Sequence, residues 1–169
     1  MQRRGRPHRS YHTQEESDYP IEVRNTSNHV GPYGSGNRAL EASVTVNGHK
    51  AKALFDTGTM EDNLISRKFV STFQIPTQDL DTPISLKMAV KGSCSTINYK
   101  AQPLIQVGDE TGDTTDALVC SLDHYDIFLG MSYLTAHNAI IDCGNAIISF
   151  PKKGITLICK KPTALGLAP

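Results

Sequence analysis

The triplet Asp56-Thr57-Gly58 is the segment of this sequence best suited to chemistry, because it places a carboxylate directly behind the apolar pair Leu54-Phe55. A carboxylate at the tip of a buried loop can act as a general base or a general acid. The sequence contains no second Asp-Thr-Gly and no Asp-Ser-Gly. If Asp56 is half of a catalytic carboxyl pair, the other half must come from a second copy of the chain. Dimerisation would then be part of the chemistry.

The triplet also suits an ordinary turn after a strand, since Asp, Thr and Gly all favour turns. A second segment favours the chemical interpretation. Phe128-Leu129-Gly130 lies about seventy residues downstream and combines two large apolar residues with a glycine. We expect it to form a strand that passes close behind the Asp56 loop, where the glycine leaves room for the crossing.

Two other segments could be taken for catalytic groups, and both fit structural roles better. Asp142-Cys143-Gly144 could be the second triplet of a two-lobed enzyme, but about 25 residues follow it, too few for another lobe of about 100 residues. We therefore expect Asp142 to end a strand at a turn. His137 is predicted to end a short helix, and no Ser or Cys nucleophile motif accompanies it.

The elements that must position Asp56 begin with a β-hairpin. Apolar residues alternate from Leu40 to Val46 and again from Ala51 to Phe55, and Asn47-Gly48 supplies the two positive-φ positions of a tight turn between them. Asp62 or Ser66 could cap a short helix that follows. That helix would carry Phe69, Val70 and Phe73 on one side and end before Pro76.

Short strands predominate in the rest of the chain. Apolar alternation and short apolar runs predict them at Ile84 to Val90, Leu104 to Val107, Ala117 to Cys120, Ala139 to Ile141 and Ala146 to Phe150. The last two could pair across a Cys143-Gly144-Asn145 turn, and Met131 to His137 is a short helix candidate. Many short strands with one or two short helices predict an all-β fold, a closed or nearly closed barrel with one lobe per chain.

Composition divides the chain into three parts. Residues 1–37 are rich in polar residues, Gly and Pro without sustained periodicity, which is typical of a flexible leader. Residues 38–151 carry the predicted domain, and residues 152–169 a C-terminal strand or tail. The 169-residue length fits one folded unit.

Charge and cysteine usage exclude several function classes. The 17 Lys plus Arg balance 17 Asp plus Glu, which removes the usual argument for a nucleic-acid partner, except through a basic arm at Arg3, Arg4, Arg6 and Arg9. No apolar stretch is long enough to span a membrane, which predicts an intracellular, cytoplasmic protein. Four scattered cysteines lack zinc-ligand spacing and are expected to be free thiols, so we predict no metal and no cofactor.

Four segments of the sequence together resemble the retropepsin-like aspartic proteases, especially those of gypsy-type LTR retrotransposons. They cover residues 40 to 150 or so, in the family's order and at about its spacing. The segments are Leu54-Phe55-Asp56-Thr57-Gly58-Thr59, Asn63-Leu64-Ile65-Ser66, Tyr125-Asp126-Ile127-Phe128-Leu129-Gly130-Met131 and His137-Asn138-Ala139-Ile140-Ile141-Asp142-Cys143.

This resemblance implies a homodimer joined through the active-site loop and terminal strands, with one Asp56 from each copy and two flexible hairpins over a bound peptide. Thr57 would then hydrogen-bond across the dimer, and Gly58 would let its N–H approach the carboxylates. The hairpin centred on residues 89–96 is the expected flap. The expected substrate contacts are Thr59, Ala89, Val90, Lys91, Gly92, Ser93 and Ile127.

The chemistry of a carboxyl pair agrees with this implication. Two carboxyls held close together cannot both ionise cheaply, so they share one proton and supply one base and one acid. The expected function is therefore an aspartic endopeptidase that processes a retroelement polyprotein. The alternative is an inactive dimerisation or peptide-binding module with the same fold.

Overall fold

The computed structural model describes residues 22–25, 39–57, 62–87, 94–108 and 111–162. Strands make up most of this part of the chain, and two short helices accompany them, as predicted. The strands are β1 (Glu22–Asn25), β2 (Ala39–Val46), β3 (His49–Asp56), β4 (Asn63–Ser66), β5 (Thr77–Lys87), β6 (Cys94–Ala101), β7 (Leu104–Gln106), β8 (Asp113–Thr114), β9 (Ala117–Cys120), β10 (Ile127–Leu129), β11 (Ile140–Asp142), β12 (Ile147–Phe150) and β13 (Ile155–Ile158). The helices are α1 (Arg67–Phe73) and α2 (Met131–Ala136).

The described strands form two sheets. Ten strands lie in the order β1-β5-β6-β9-β4-β10-β3-β2-β7-β8, and the other three lie in the order β11-β12-β13. Within the described ranges the end strands β1 and β8 do not pair with each other, so the predicted closure of the barrel is not observed. These end strands have only four and two residues. They offer too few backbone groups to close a barrel.

The predicted hairpin is confirmed and leads directly to Asp56. β2 and β3 pair antiparallel from Val46↔His49 to Ala39↔Asp56. At the turn, Asn47 has a φ of 48° and Gly48 a φ of 81°. The Asn47 side chain also accepts a hydrogen bond from the Leu104 N–H at 2.7 Å, which fixes the turn against β7.

The middle of the larger sheet is buried on both faces. In β10, for example, Ile127 and Leu129 point into one core and Phe128 into the other. The first core is covered by the two helices and the smaller sheet, and includes Phe55, Tyr133 and Phe150. The second core lies under β5 and β6 and includes Leu54, Leu64, Ile84, Leu86 and Ile97. Burial on both faces explains why these central strands are apolar at nearly every position.

Ser66 caps the first helix, so the structure selects one of the two predicted caps. Its Oγ accepts a hydrogen bond from the Phe69 N–H at 3.3 Å, which satisfies one of the free amides of the first turn. The helix ends at Gln74 in the left-handed conformation, with a φ of 52°. Helix α2 begins after Gly130 and has His137 as its C-cap, as predicted.

The smaller sheet contains the predicted pairing across Cys143-Gly144-Asn145, which joins β11 to β12. β13 extends this sheet by pairing with β12. Beyond β13, Lys160 exchanges two backbone hydrogen bonds with Glu41 of β2, at 2.7 and 2.8 Å. The end of the described chain is thereby attached to the hairpin that carries Asp56.

Several strands differ from the sequence prediction. β4 and β8 were not predicted as strands, and β1 and β5 differ in position. β1 lies in the segment predicted to be a flexible leader, and it pairs parallel with residues 84–87 of β5. β5 begins at Thr77, before the predicted alternation at Ile84, and its pairing with β6 shifts register between Asp79 and Ile84. Pro83 and the charged residues around it conceal this first half of β5 from pattern analysis.

Candidate active site

Three polar or charged residues are buried in the described part of the chain, and all lie between positions 56 and 66. The exposed fractions are 4% for Asp56, 2% for Asn63 and 4% for Ser66. Buried polar groups cost folding free energy unless they are hydrogen-bonded. Their concentration in one segment therefore marks this segment as the candidate site.

Asp56 is the last residue of β3 and is placed by its neighbours on both sides. β2 pairs with it through Ala39, and β10 runs parallel to β3 with Phe128 opposite Leu54 and Leu129 opposite Phe55. The predicted strand behind the Asp56 loop is thus confirmed. Thr57 follows in a turn and is exposed.

Asn63 connects the far end of the loop to two other elements. Its Oδ1 accepts a hydrogen bond from the Gly130 N–H at 2.9 Å. Its Nδ2 donates to Thr115 Oγ1 and to the Asp116 carbonyl oxygen, both at 3.1 Å. These partners determine the orientation of the amide, because an N–H can only donate and a carbonyl oxygen can only accept.

Asp126 fixes the opposite end of β10. Its Oδ2 accepts from the Lys52 N–H at 2.7 Å, its own N–H donates to the Lys52 carbonyl at 2.9 Å, and its carbonyl accepts from the Ser66 N–H at 2.8 Å. β10 is therefore held to β3 and to β4 at the end remote from Asp56, in addition to the strand pairing itself.

Next to Asp126, the Tyr125 side chain contacts Glu41 and Lys52 of the β2–β3 hairpin. Tyr125 donates its hydroxyl to Glu41 Oε2 at 3.0 Å, and Lys52 Nζ lies 3.4 Å from Glu41 Oε1 and 5.0 Å from the centre of the Tyr125 ring. Burial, followed by the Glu41 carboxylate, raises the pKa of the Tyr125 hydroxyl. Tyr125 therefore remains a neutral donor and braces the hairpin, rather than acting as an acid or base.

Two residues predicted to have structural roles have them. Asp142 ends β11, and its two carboxylate oxygens accept from the Asn145 backbone and side chain at 3.0 and 2.8 Å. The side-chain bond from Asn145 is the main cause that lowers the pKa of Asp142. His137 ends α2, its ring packs at a tilt against Tyr133 with the ring centres 4.3 Å apart, and its Nδ1 lies 3.9 Å from Asp113 Oδ2.

The predicted catalytic residue Gly58 and the predicted substrate contacts are only partly described. Gly58, Thr59, Ala89, Val90, Lys91, Gly92 and Ser93 lie outside the described residues. Ile127 is fully buried in the first core, paired with Ala53 and Ile65, which leaves it no surface for a substrate in this structure. Its burial follows from its position in a strand that is covered on both faces.

The hydrogen bonds of Asn63 were not predicted from the sequence, although Asn63 lies in a segment that resembles the protease family. The signal was present: an amide side chain stands at the start of an otherwise apolar run, Leu64-Ile65, directly after the Asp56 loop. A polar cleft of about 480 Å³ opens beside Asn63, and Asp62, Gln102 and Ser132 contribute to its lining.

The described thiols and acidic groups form no metal site. Cys120 and Cys159 are buried and Cys143 is exposed, and all three are free. Within the ranges that the structure describes, no group of three or more His, Cys, Asp or Glu residues is arranged to hold a metal ion. In the same ranges no helix has the length and apolarity needed to cross a membrane.

Comparison with known proteins agrees with this geometry. A sequence model described as "Retroviral aspartyl protease" matches residues 33–154. The chain therefore belongs to the retroviral aspartyl protease family. A search of curated proteins finds no match to it.

Similar folds occur among solved structures. The retroviral protease-like domain of Ddi1 from Leishmania major matches with a TM-score of 0.55 at 15% identity, over 77% of this chain and 98% of that one. A retropepsin-like aspartic protease from Rickettsia conorii gives a TM-score of 0.45 at 19% identity, over 72% and 81%. EIAV protease in complex with the inhibitor HBY-793 gives 0.45 at 15% identity, over 66% and 99%. The similarity to the Leishmania domain shows a retropepsin-like fold.

Proposed function

We propose that this chain is an aspartic endopeptidase that acts as a homodimer, with Asp56 from each copy forming the catalytic carboxyl pair. The observation that carries the proposal is the burial of Asp56 at the end of β3, where β2 and β10 hold it from both sides. Membership of an aspartyl protease family supports the same chemistry. A second copy is needed because the sequence has one Asp-Thr-Gly triplet.

Peptide hydrolysis by such a pair follows from shared protonation. When two carboxyls lie within hydrogen-bond distance, repulsion between like charges keeps one proton on the pair. The ionised carboxylate takes a proton from water as it attacks the peptide carbonyl, and the protonated carboxyl donates to the carbonyl oxygen or the leaving amine. Thr57 and Gly58 would support the pair at the dimer interface.

We further propose that the substrate is a retroelement polyprotein, which would place the reaction inside the cell that makes it. The resemblance to gypsy-type proteases supports this substrate. An extended peptide would bind by strand addition, with alternate side chains entering pockets on either side. Thr59 and the hairpin residues 89–93 are the proposed contacts.

The test is cleavage of a peptide library by the purified full-length chain, with products identified by mass spectrometry. The parent should cleave and should be blocked by a pepstatin-type inhibitor. Asp56→Asn should lower the rate more than a thousandfold, because an amide can be neither the base nor the acid. The matched control is Asp142→Asn, which removes a carboxylate from the other Asp-x-Gly triplet and should keep the parent's activity.

Each outcome decides between the two functions. Activity of Asp56→Asn within tenfold of the parent would refute the assignment of Asp56. A parent that associates and binds peptides without cutting any of them would identify the inactive binding module instead. Sedimentation of the Asp56→Asn protein shows whether its fold and association are retained.

A further inference from the structure

Asn63 stands where the chain returns to the sheet after the Asp56 loop. The loop leaves β3 at Asp56 and returns to the sheet at Asn63, the first residue of β4. β10 lies between these two strands and pairs with both, parallel to β3 and antiparallel to β4. β10 therefore pairs with the strands at both ends of the loop, and Gly130 follows directly after β10.

The three hydrogen bonds of Asn63 fasten this junction. The bond from the Gly130 N–H holds the returning end of the loop to the end of β10. The bonds to Thr115 and Asp116 hold it to the turn that precedes β9, the strand that pairs with β4 on its other side. Asn63 is 2% exposed and its bond from the Gly130 N–H is buried, while its bonds to Thr115 and Asp116 lie at the edge of the polar cleft.

We propose that Asn63 is the positioning residue for the catalytic carboxyl pair. Through Gly130 it fixes the end of β10 that pairs with β3 next to Asp56, and with it the approach of each Asp56 to its counterpart. This inference rests on the proposed function, and it adds a residue that neither touches the substrate nor takes part in proton transfer. Strand pairing places Asn63 opposite Ala117 of β9. The Asn63 amide adds a bond to Gly130, which follows β10, and two bonds to the residues before β9.

Asn63→Leu tests the proposal, because leucine has the same branching at Cγ and removes all three bonds. Catalysis depends steeply on placement, so we expect kcat to fall roughly ten- to a hundredfold while KM changes less than about threefold. Asn63→Asp keeps an acceptor for the Gly130 N–H but loses both donors, and should lower kcat as well. Thr115→Val removes one of the three bonds and should give a smaller loss in the same direction.

The pH profile of kcat/KM separates positioning from loss of stability. Two carboxyls in close contact titrate with widely separated apparent pKa values, and this separation shrinks as the carboxyls move apart. The bell-shaped profile of Asn63→Leu should therefore be narrower than that of the parent. A variant that is only less stable would contain less active protein, but the acidic and basic limbs of its pH profile would stay at the parent's apparent pKa values.

Asn63→Leu and Thr115→Val leave the charged residues around the site unchanged. In the described part of the chain these include Asp62 at the end of the loop, Asp116 before β9, Asp126 before β10, and Glu41 with Lys52 on the hairpin. Ser66→Ala is the matched control, since it deletes a buried polar group at the opposite end of β4. It should lower the melting temperature without changing the limbs of the profile.

The proposal is overturned if Asn63→Leu and Thr115→Val both keep the parent's kcat and the parent's pH profile of kcat/KM. If Asn63→Leu does not fold, Asn63→Asp and Thr115→Val decide the question by the same two readouts. Failure here is distinct from failure of the proposed function. An inactive Asp56→Asn beside an unaffected Asn63→Leu rejects the positioning role alone, whereas an active Asp56→Asn rejects the catalytic pair itself.

Discussion

Asp56, Asn63 and Ser66 have different tasks although all three are buried polar residues of one short segment. Ser66 Oγ caps a helix, and the Asn63 amide bonds to three backbone or side-chain groups of other elements. Both side chains therefore join elements of the fold. Asp56 carries the functional proposal because it is a buried carboxylate at the end of β3, within the Asp-Thr-Gly triplet of an aspartyl protease family member.

Cys120 provides a test of burial that is independent of catalysis. It ends β9 on the side of the second core, and burial raises the pKa of its thiol to about 12. The folded chain thus favours the neutral thiol. This contribution to stability is complete below the thiol's ordinary pKa of 9.0 and is lost as the pH rises towards the folded value.

We therefore predict that Cys120→Ala makes stability less dependent on alkaline pH. Between pH 8 and pH 10.5 the free energy of unfolding of the parent should fall by about 2 kcal/mol more than that of the variant. Urea titrations across this range measure the difference. Cys143→Ala is the control, because its thiol lies exposed in a turn and should leave the parent's pH dependence unchanged. Equal slopes for the parent and Cys120→Ala would contradict the burial of Cys120.

At the scale of elements, the short β7–β8 pair supports the site from the edge of the sheet. β8 leads directly into Thr115 and Asp116, the partners of Asn63. Asp113 in β8 accepts a hydrogen bond from Lys153, which is the main cause that lowers the pKa of this carboxyl. The edge is thereby attached to the turn that follows β12.

Gly112, the residue before β8, allows the chain to approach the backbone of β7 closely. A Cβ at position 112 would lie 2.6 Å from the Ile105 carbonyl oxygen. This distance is too short for a van der Waals contact, so the backbone itself would have to move. Gly112→Ala should therefore separate β7 from β8 and destabilise the fold by about 1–3 kcal/mol. Gly144→Ala is the matched control, since a Cβ there meets one atom at 3.5 Å. Thermal unfolding compares them, and equal melting temperatures would contradict the close approach.

Elements with a strong local signal could be predicted from the sequence. The Asn47-Gly48 turn was recognised because few residue pairs adopt two positive φ angles easily, and the strand at Phe128 because two large apolar residues precede a glycine. β1 was missed because its pairing with β5 depends on backbone groups that carry no sequence signal. The hydrogen bonds of Asn63 could not be predicted, since its partners Thr115 and Gly130 are distant in sequence.

At the scale of the whole molecule, the fold supplies one carboxylate per chain and the proposed chemistry needs two. The described chain is one lobe, with Asp56 buried at the end of a strand that lies deep in the sheet. Closure of the barrel was predicted from the many short strands and few short helices, and it is not observed between β1 and β8. The active unit is therefore expected to be larger than this chain.

Dilution tests this expectation directly. If only the dimer is active, its concentration below the dissociation constant varies with the square of the chain concentration, so a tenfold dilution should lower the cleavage rate about a hundredfold. A chain that carries two copies joined by a flexible Gly/Ser linker is the control, and its rate should fall only tenfold, because the second copy stays at high effective concentration. In the linked protein, Asp56→Asn in one copy alone should abolish cleavage, since one carboxyl cannot supply both base and acid. A rate strictly proportional to chain concentration in the unlinked protein, continuing where sedimentation shows monomers, would contradict a shared active site.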